Sequence, residues 1–283
     1  MKPSTSSGET LGAVQKACRV LAELSGPGPH RLSNIVANTG LNKATALRLL
    51  DALGEEGFVQ RYPVDKTYAL GNGAFAMHAS VSRRVSLPAS AHTSLMRVAE
   101  VTGDTTCLSV PCGSHSVCID REEGSNPWRV NYLQVGRRLP LGVGSAGMAL
   151  IAWLPDEEVE QMIARNRVVL AARFPRVGPE RIRREVQLSR ERGYSLSASV
   201  VTEGTGGLSV PILDMQGRPV AAIGASALVE RLVKREVMLA ELLIDEASRI
   251  ESALHGRDGT DRAAHCSTAA QTTSMREISD VHA

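Results

Sequence analysis

Four side chains capable of metal or thiol chemistry crowd into residues 107–118: Cys107, Cys112, His115 and Cys118. Zinc sites favour closely paired ligands such as C-x-x-C. These cysteines stand five and six positions apart, so the spacing does not suit zinc, and no metal ligand is assigned. As catalytic or redox thiols they fit better. The surrounding "DTTCLSVPCGSHSVCIDREEG" also reads as two strands around a Gly-Ser turn, where Cys serves as a small buried hydrophobe. Strand packing is therefore the first reading, thiol redox chemistry the second and metal the last. With Cys18 and Cys266 the chain has five cysteines. An odd count behind an N-terminus, "MKPSTSSGET", that lacks an apolar signal core points to reduced thiols and a cytoplasmic location.

A second constellation is "GVGSAGMA" at 142–149. It lacks the Lys-Ser/Thr ending of a P-loop and no dinucleotide-binding βαβ pattern surrounds it. It reads instead as a turn leading into a helix, whose first free N–H groups can hold a small anion. Arg137 and Arg138, just upstream, either serve an acidic ligand or form a solvated strand end. Glu203 sits in another glycine-rich loop and orders it. Glu55 and Glu56 face no second acidic pair, and no Ser-His-Asp or G-x-S-x-G arrangement is present. No catalytic residue and no cofactor is assigned.

The third constellation is "LNKATALRLLDALGEEGFVQR", 41–61. Ala46, Leu49, Leu50 and Leu53 recur at helical spacing and define a buried face. Asn42 is a good N-cap, and Gly57 follows the end of the helix. At 100° per residue, Ala44, Thr45 and Arg48 fall on the other side. From Leu24 to Leu50 there is no Asp or Glu, while Arg31, Lys43 and Arg48 are present. A bare, acid-free helix face suits approach to DNA phosphates.

The elements around these residues follow from periodicity. "AVQKACRVLAEL" is a helix with Val14, Ala17, Val20, Leu21 and Leu24 inward; "RLSNIVANTG" is a short second helix; "FVQRYPVDKTYAL" is a hairpin around Pro63–Lys66. Helix, helix, turn, helix, hairpin is the order of a winged helix-turn-helix, whose third helix enters the major groove by its N-terminal end. "GNGAFAMHASVSRRVS" reads as a linking helix. Beyond it come a helix ("PASAHTSLMRVAEVTG"), the two cysteine-bearing strands, a strand within "WRVNYLQVGRRLPLG", and a helix pair or kinked helix broken near Pro155. A charged helix ("GPERIRREVQLSRERG"), a hairpin turning at Met215–Gly217 and one closing helix ("RLVKREVMLAELLIDEASRIESAL") complete the pattern. Hairpin-linked strands flanked by helices indicate an antiparallel α+β domain. The expected divisions are 1–10 disordered, 11–71 winged helix-turn-helix, 72–86 linker helix, 87–255 effector domain and 256–283 disordered tail.

Composition agrees with this division. The 283 residues are 43% hydrophobic and 22% charged, enough for roughly two globular domains. Aromatics, at 3%, are too few for an aromatic binding platform. No apolar run reaches the ~20 residues of a membrane span; the best stretch, Leu139 to Pro155, is broken by glycines. Residues 1–86 carry 10 Lys+Arg against 6 Asp+Glu, and the remainder 22 against 24. The basic surplus thus sits with the helix that lacks acids, a hint of an anionic partner.

Over residues 11–255 the chain resembles the IclR family of transcriptional regulators. Three segments carry the resemblance: "VLAELSGPGPHRLSNIVANTGLNKATALRLLDALGEEGFVQR" with "YALG" closing the wing; "VGRRLPLGVGSAGMALIAWLPDEE"; and "RERGYSLSASVVTEGTGGLSVPILDMQGRPVAAIGAS". The resemblance implies a DNA-binding domain joined by a linker helix to a GAF-like antiparallel-sheet effector domain, and dimers that pair as tetramers. The sequence departs from relatives that have Lys where Met148 stands, Asp where Ser197 stands and Ser where Gly224 stands.

The expected function is a ligand-responsive regulator that binds double-stranded operator DNA as a dimer or tetramer. The alternative is a thiol-based redox sensor or enzyme built on the second domain. The expected DNA-contacting residues are Arg31, Lys43, Ala44, Thr45, Arg48, Arg61 and Lys66. The expected effector is a small organic acid, aromatic acids included, held by Gly144, Ser145, Ala146, Ser197, Gly207, Leu208, Gly224 and Ser226. In this reading Gly206, Gly207 and Gly224 leave room for the ligand, while Trp128 or Leu208 lines its apolar end.

Overall fold

The computed structural model describes residues 12–26, 28–82, 87, 90–127 and 134–255, with 78–82 described by backbone alone. Trp128, Cys266, residues 83–86 of the expected linker helix and the two segments expected to be disordered, 1–10 and 256–283, lie outside the described residues. The chain divides into two compact units between Ser86 and Leu87.

The first unit runs α1 (Ala13–Leu24), β1 (His30–Arg31), α2 (Leu32–Thr39), α3 (Lys43–Glu55), β2 (Val59–Tyr62), β3 (Thr67–Leu70) and α4 (Asn72–Ser82). Val20, Leu24, Ile35, Leu41, Ala46, Leu50, Val59 and Tyr68 form its core. Helix α2 ends at Gly40 in the left-handed conformation (φ 69°), which turns the chain tightly into α3. Two features differ from the sequence reading. The wing has three strands, in the order β1-β3-β2, because His30 and Arg31 pair with Tyr68 and Thr67. Val14, read as inward, is 77% exposed; the core packs α1 only from Val20 onward.

The second unit runs α5 (Ser90–Thr102), β4 (Thr105–Cys112), β5 (His115–Glu122), β6 (Arg138–Pro140), α6 (Gly144–Ala152), α7 (Asp156–Arg173), α8 (Pro179–Arg192), β7 (Ser195–Ala198), β8 (Thr205–Leu213), β9 (Pro219–Leu228), α9 (Val229–Lys234) and α10 (Glu236–His255). Its six strands form one antiparallel sheet in the order β6-β5-β4-β9-β8-β7. Side chains alternate across it. Leu208, Val210 and Ile212 of β8 and Ala221, Ile223 and Ala225 of β9 pack against α5 and α10, with Leu95, Leu239, Leu243 and Ile250. The other face is covered by α6, backed by α7 and α8 through Ile151, Ile163, Ile182 and Val186. That face of β8 and β9 carries small residues, Gly207, Ser209, Gly224 and Ser226, so a helix opening "GSAGMA" can approach the backbone closely.

The break near Pro155 produces two separate helices, α6 and α7. Strand β7 has no counterpart in the sequence pattern; it pairs with β8 from Ser195↔Ser209 to Ala198↔Gly206. The expected single closing helix is interrupted at Arg235 (φ −125°, ψ 16°). The apolar pattern hid this break because Leu232 and Leu239, on either side of it, enter the same core. Buried Asp104 holds the junction: it accepts from Arg231 Nε at 2.9 Å and from Arg235 Nη2. Arg231 Nη2 and Arg235 Nη1 also donate to the Thr102 carbonyl, at 2.7 and 3.0 Å. Among the described residues no helix is long and apolar enough to cross a membrane.

Candidate functional site

In the first unit the candidate site is the start of α3. Asn42 is extended (φ −71°, ψ 155°), and its Oδ1 accepts from the Thr45 N–H at 2.8 Å, fixing where the helix begins. Ala46 and Leu50 anchor the buried side. Lys43, Ala44 and Arg48 are exposed and Thr45 is half-buried. The leading end therefore presents one small side chain, one hydroxyl and two cations, while Asp51, Glu55 and Glu56 follow later along the helix. Glu23, the last acid before this stretch, is turned away into a junction: its Oε1 accepts from Asn38 Nδ2 at 2.6 Å and lies 3.6 Å from His30 Nδ1.

Arg31 is exposed at the end of β1. Arg61 lies on β2 with its guanidinium 5.9 Å from the centre of the Tyr68 ring on the paired strand. Lys66, at the wing turn, adopts a positive φ of 53°, unusual for a residue with a side chain. The wing thus carries exposed cations on a braced hairpin.

In the second unit the candidate site is the start of α6, which opens on two clefts. Val143 caps the helix without a side-chain hydrogen bond, so the first amides belong to a glycine, a serine and an alanine. One cleft brings Gly144, Ser145 and Ala146 together with Ser226, Arg137, Ser109, Ser116, Cys107 and Cys118. The other joins Gly144 to Met148, Ser197, Arg181 and Glu185. Ser197 is thereby separated from Ser145 and Ser226, with Gly144 common to both clefts.

Two expectations are corrected here. Leu208 is fully buried in the core against α10, on the opposite side of the sheet from α6, and cannot line either cleft. The space expected at the glycines is also taken. A Cβ at Gly207 would come 2.6 Å from Ser145 Oγ and 3.1 Å from Ser226 Oγ; one at Gly224 would overlap Ser209 Oγ; one at Gly206 would meet Leu232 at 2.8 Å. The glycines seat serine hydroxyls and a helix rather than a ligand, and Ser209 donates to Ser145 Oγ at 2.8 Å.

The structure adds Arg137 to the cleft, an exposed cation beside the start of α6. It adds Ser109 and Ser116 as well. The alternation of "TCLSV", which sets Cys107 and Ser109 on one face and Leu108 and Val110 on the other, is the sequence signal for Ser109. Cys107 and Cys118 touch one another in the cleft wall. The neighbouring Cys118 thiol, then burial, raises the Cys107 pKa well above its usual value, while the Cys107 contact lowers that of Cys118, whose thiol donates to the Asp120 carbonyl at 3.4 Å. Cys112 is exposed on the opposite strand face, where Arg138 Nη2 donates to its sulfur at 3.6 Å. Burial, then the nearby Arg138 charge, lowers the His115 pKa. Glu203 is exposed. Among the described residues no three His, Cys, Asp or Glu side chains converge as for a metal ion.

The chain as a whole has relatives among known proteins. Residues 13–63 match the IclR helix-turn-helix domain and residues 79–252 match the bacterial transcriptional regulator IclR C-terminal domain. The chain is 26% identical over 261 residues to the transcriptional repressor IclR of Escherichia coli (strain K12), covering 90% of this chain and 95% of that protein. It is 27% identical over 228 residues to the HTH-type transcriptional regulator XynR of the same strain, covering 80% and 90%. In fold it is similar to a putative ICLR transcriptional regulator from Silicibacter sp. TM1040, with a TM-score of 0.71, 24% identity and coverage of 88% and 98%. It is also similar to an IclR homolog from Microbacterium hydrocarbonoxydans complexed with 4-hydroxybenzoate, with a TM-score of 0.67, 24% identity and coverage of 87% and 100%.

Proposed function

Because the chain belongs to the IclR family of bacterial transcriptional regulators, we propose that α3 reads operator DNA and that a small organic acid bound beside α6 changes this binding. The chain is a DNA-binding transcriptional regulator and not an enzyme; its relatives are named as regulators and repressors. The observation that carries the DNA reading is the capped, acid-free start of α3, with Lys43, Ala44, Thr45 and Arg48 on its outer side. Thr45 and Arg48 face base edges, with Lys43 beside them. Arg31, Arg61 and Lys66 contact phosphate. Operator DNA as the target puts this work in the cytoplasm, and a single winged helix offers few base contacts, so the reading unit is at least a dimer on a pseudo-palindrome.

The wing assignment has its own signature. Arg61→Ala or Lys66→Ala weakens binding to all DNA sequences alike and lowers the slope of log affinity against log salt by about one per lost contact. Fluorescence anisotropy across a salt series reads this; an unchanged slope removes the residue from the phosphate set.

For the effector, the supporting observation is one cleft lined both by the first residues of α6 and by Arg137. Helix-start amides and a cation together favour a carboxylate. Met148 and Ser197 leave the adjoining cleft less charged than a Lys and an Asp would, which suits a partly apolar acid. The 4-hydroxybenzoate held by the Microbacterium hydrocarbonoxydans protein is an acid of this kind. Calorimetry of the full chain against benzoates, short aliphatic acids and their neutral amides tests the assignment. Acids are expected to bind and amides not, and Arg137→Ala is expected to weaken acid binding about tenfold or more, as for a charge-assisted hydrogen bond. Equal binding of acid and amide overturns the carboxylate assignment.

A further inference from the structure

We propose that Cys107 and Cys118 form a dithiol that a hydroperoxide converts into an intramolecular disulfide linking β4 to β5, a modification site in the wall of the cleft beside α6. The first support is the strand register. Cys107 pairs with Arg121 and Leu108 with Asp120, but Ser109 pairs with Cys118, so Ile119 is an extra residue in β5. Side chains of directly paired residues share a face, and a one-residue slip flips a side chain to the other face. The bulge therefore brings Cys118 onto the face of Cys107 and Ser109. Without it Cys118 would lie opposite Val110, on the other side of the sheet.

The second support is selectivity among the thiols. Cys107 and Cys118 are buried against one another, and both line the cleft. Cys112 belongs to the opposite face by alternation and Cys18 to the other unit. The third is charge. Arg121, the cross-strand partner of Cys107, favours the thiolate form of both cysteines. Its Nε is buried without a hydrogen-bond partner, while Nη1 pairs with Glu123 Oε1 at 2.7 Å. The pKa is lowered at Cys118 and raised at Cys107, so Cys118 is the attacking sulfur, once its proton leaves the Asp120 carbonyl, and Cys107 the resolving one.

The chemistry balances. Cys118 loses its proton to solvent and its thiolate attacks the near oxygen of the hydroperoxide; an S–O bond forms, the O–O bond breaks, and the departing alkoxide or hydroxide takes a proton from solvent. The Cys107 sulfur then attacks the sulfenic sulfur of Cys118. The S–S bond forms, the S–O bond breaks, and the leaving hydroxide takes the Cys107 proton to become water. Two thiols and one hydroperoxide yield one disulfide, one alcohol or water, and one further water.

The test uses the reduced full chain, freed of reductant and treated with hydrogen peroxide or cumene hydroperoxide without DNA, so that its outcome does not depend on operator binding. Non-reducing peptide mapping is expected to show a Cys107–Cys118 cross-link. A C18S/C112S/C266S variant is expected to lose both remaining thiols and recover them with dithiothreitol. In C107S, dimedone is expected to label Cys118. Absence of the cross-link in the oxidised wild type, oxidation of the triple variant beyond recovery by dithiothreitol, or a link that uses Cys112 or Cys18 instead overturns the proposal.

Discussion

Arg48→Ala lowers affinity for the operator by about 5- to 150-fold, the ~1–3 kcal/mol carried by one good base contact. The expectation rests on where α3 begins. The Asn42 cap fixes the first turn, and Ala46 and Leu50 lock its rotation by burial, so the direction of Arg48 is set by packing rather than by its own flexible stem. Because Arg48 is exposed, its loss leaves no cavity and folding stability stays within ~0.5 kcal/mol. Anisotropy titrations at one moderate salt concentration, on operator and on unrelated duplex, separate the effects. The operator loses affinity much more than unrelated DNA, unlike the uniform loss expected at the wing. If Arg48→Ala binds operator as wild type does, the helix does not face the groove in this orientation. Sedimentation of the wild-type complex should find at least two chains per operator; specific binding by a stable monomer counts against the two-fold arrangement.

Asp104→Ala destabilises the second unit by about 2–3 kcal/mol. Breaking a fully buried ion pair costs ~3–5 kcal/mol because a charge is stranded without water. Here the carboxylate side chain is 1% exposed, but the arginine side chains it would strand are 41% and 24% exposed and can be hydrated, which lowers the figure. At the size of this unit the shift in melting temperature is about 4–12 °C. Calorimetric melting of wild type, Asp104→Ala and Asp104→Asn measures it, with Asn recovering part of the loss as a neutral acceptor for one guanidinium. A loss under 1 kcal/mol in the alanine variant would mean that the junction at Arg235 is held by the Thr102 carbonyl alone.

Elements whose signals are local were legible in the chain. The start of α3 is announced by Asn42 and the spacing of Ala46, Leu49 and Leu50, and the wing by two short runs around Pro63–Lys66. What escaped depends on partners distant in sequence. His30 and Arg31 make a strand only because Tyr68 and Thr67 lie beside them. Ser195 to Ala198 carry little intrinsic strand preference, and their pairing with β8 defines β7. The break at Arg235 depends on a carboxylate more than a hundred residues upstream. The candidate effector site is half legible: the helix start at Gly144 follows from its glycines, but which face Leu208 takes depends on register, and a glycine's empty side says nothing about which neighbour fills it. Arg137 has no direction in the sequence, because a cation at a strand end points equally well into solvent until the sheet is assembled.

The sheet order has a consequence for synthesis. At its centre β4 pairs with β9, from Thr105↔Ser226 to Ser109↔Ala222, so the seam joins segments separated by about 120 residues. At ~5–20 residues per second a ribosome needs roughly 6–24 s to make that stretch. Throughout this interval the β4 edge of the hairpin stays unpaired, although β6 and α6 are made early in it. The wing closes far sooner, since its widest pairing, His30 to Tyr68, spans 38 positions. The nascent chain thus holds a complete first unit while the second still exposes the edge of β4, the kind of unpaired edge that another strand can join.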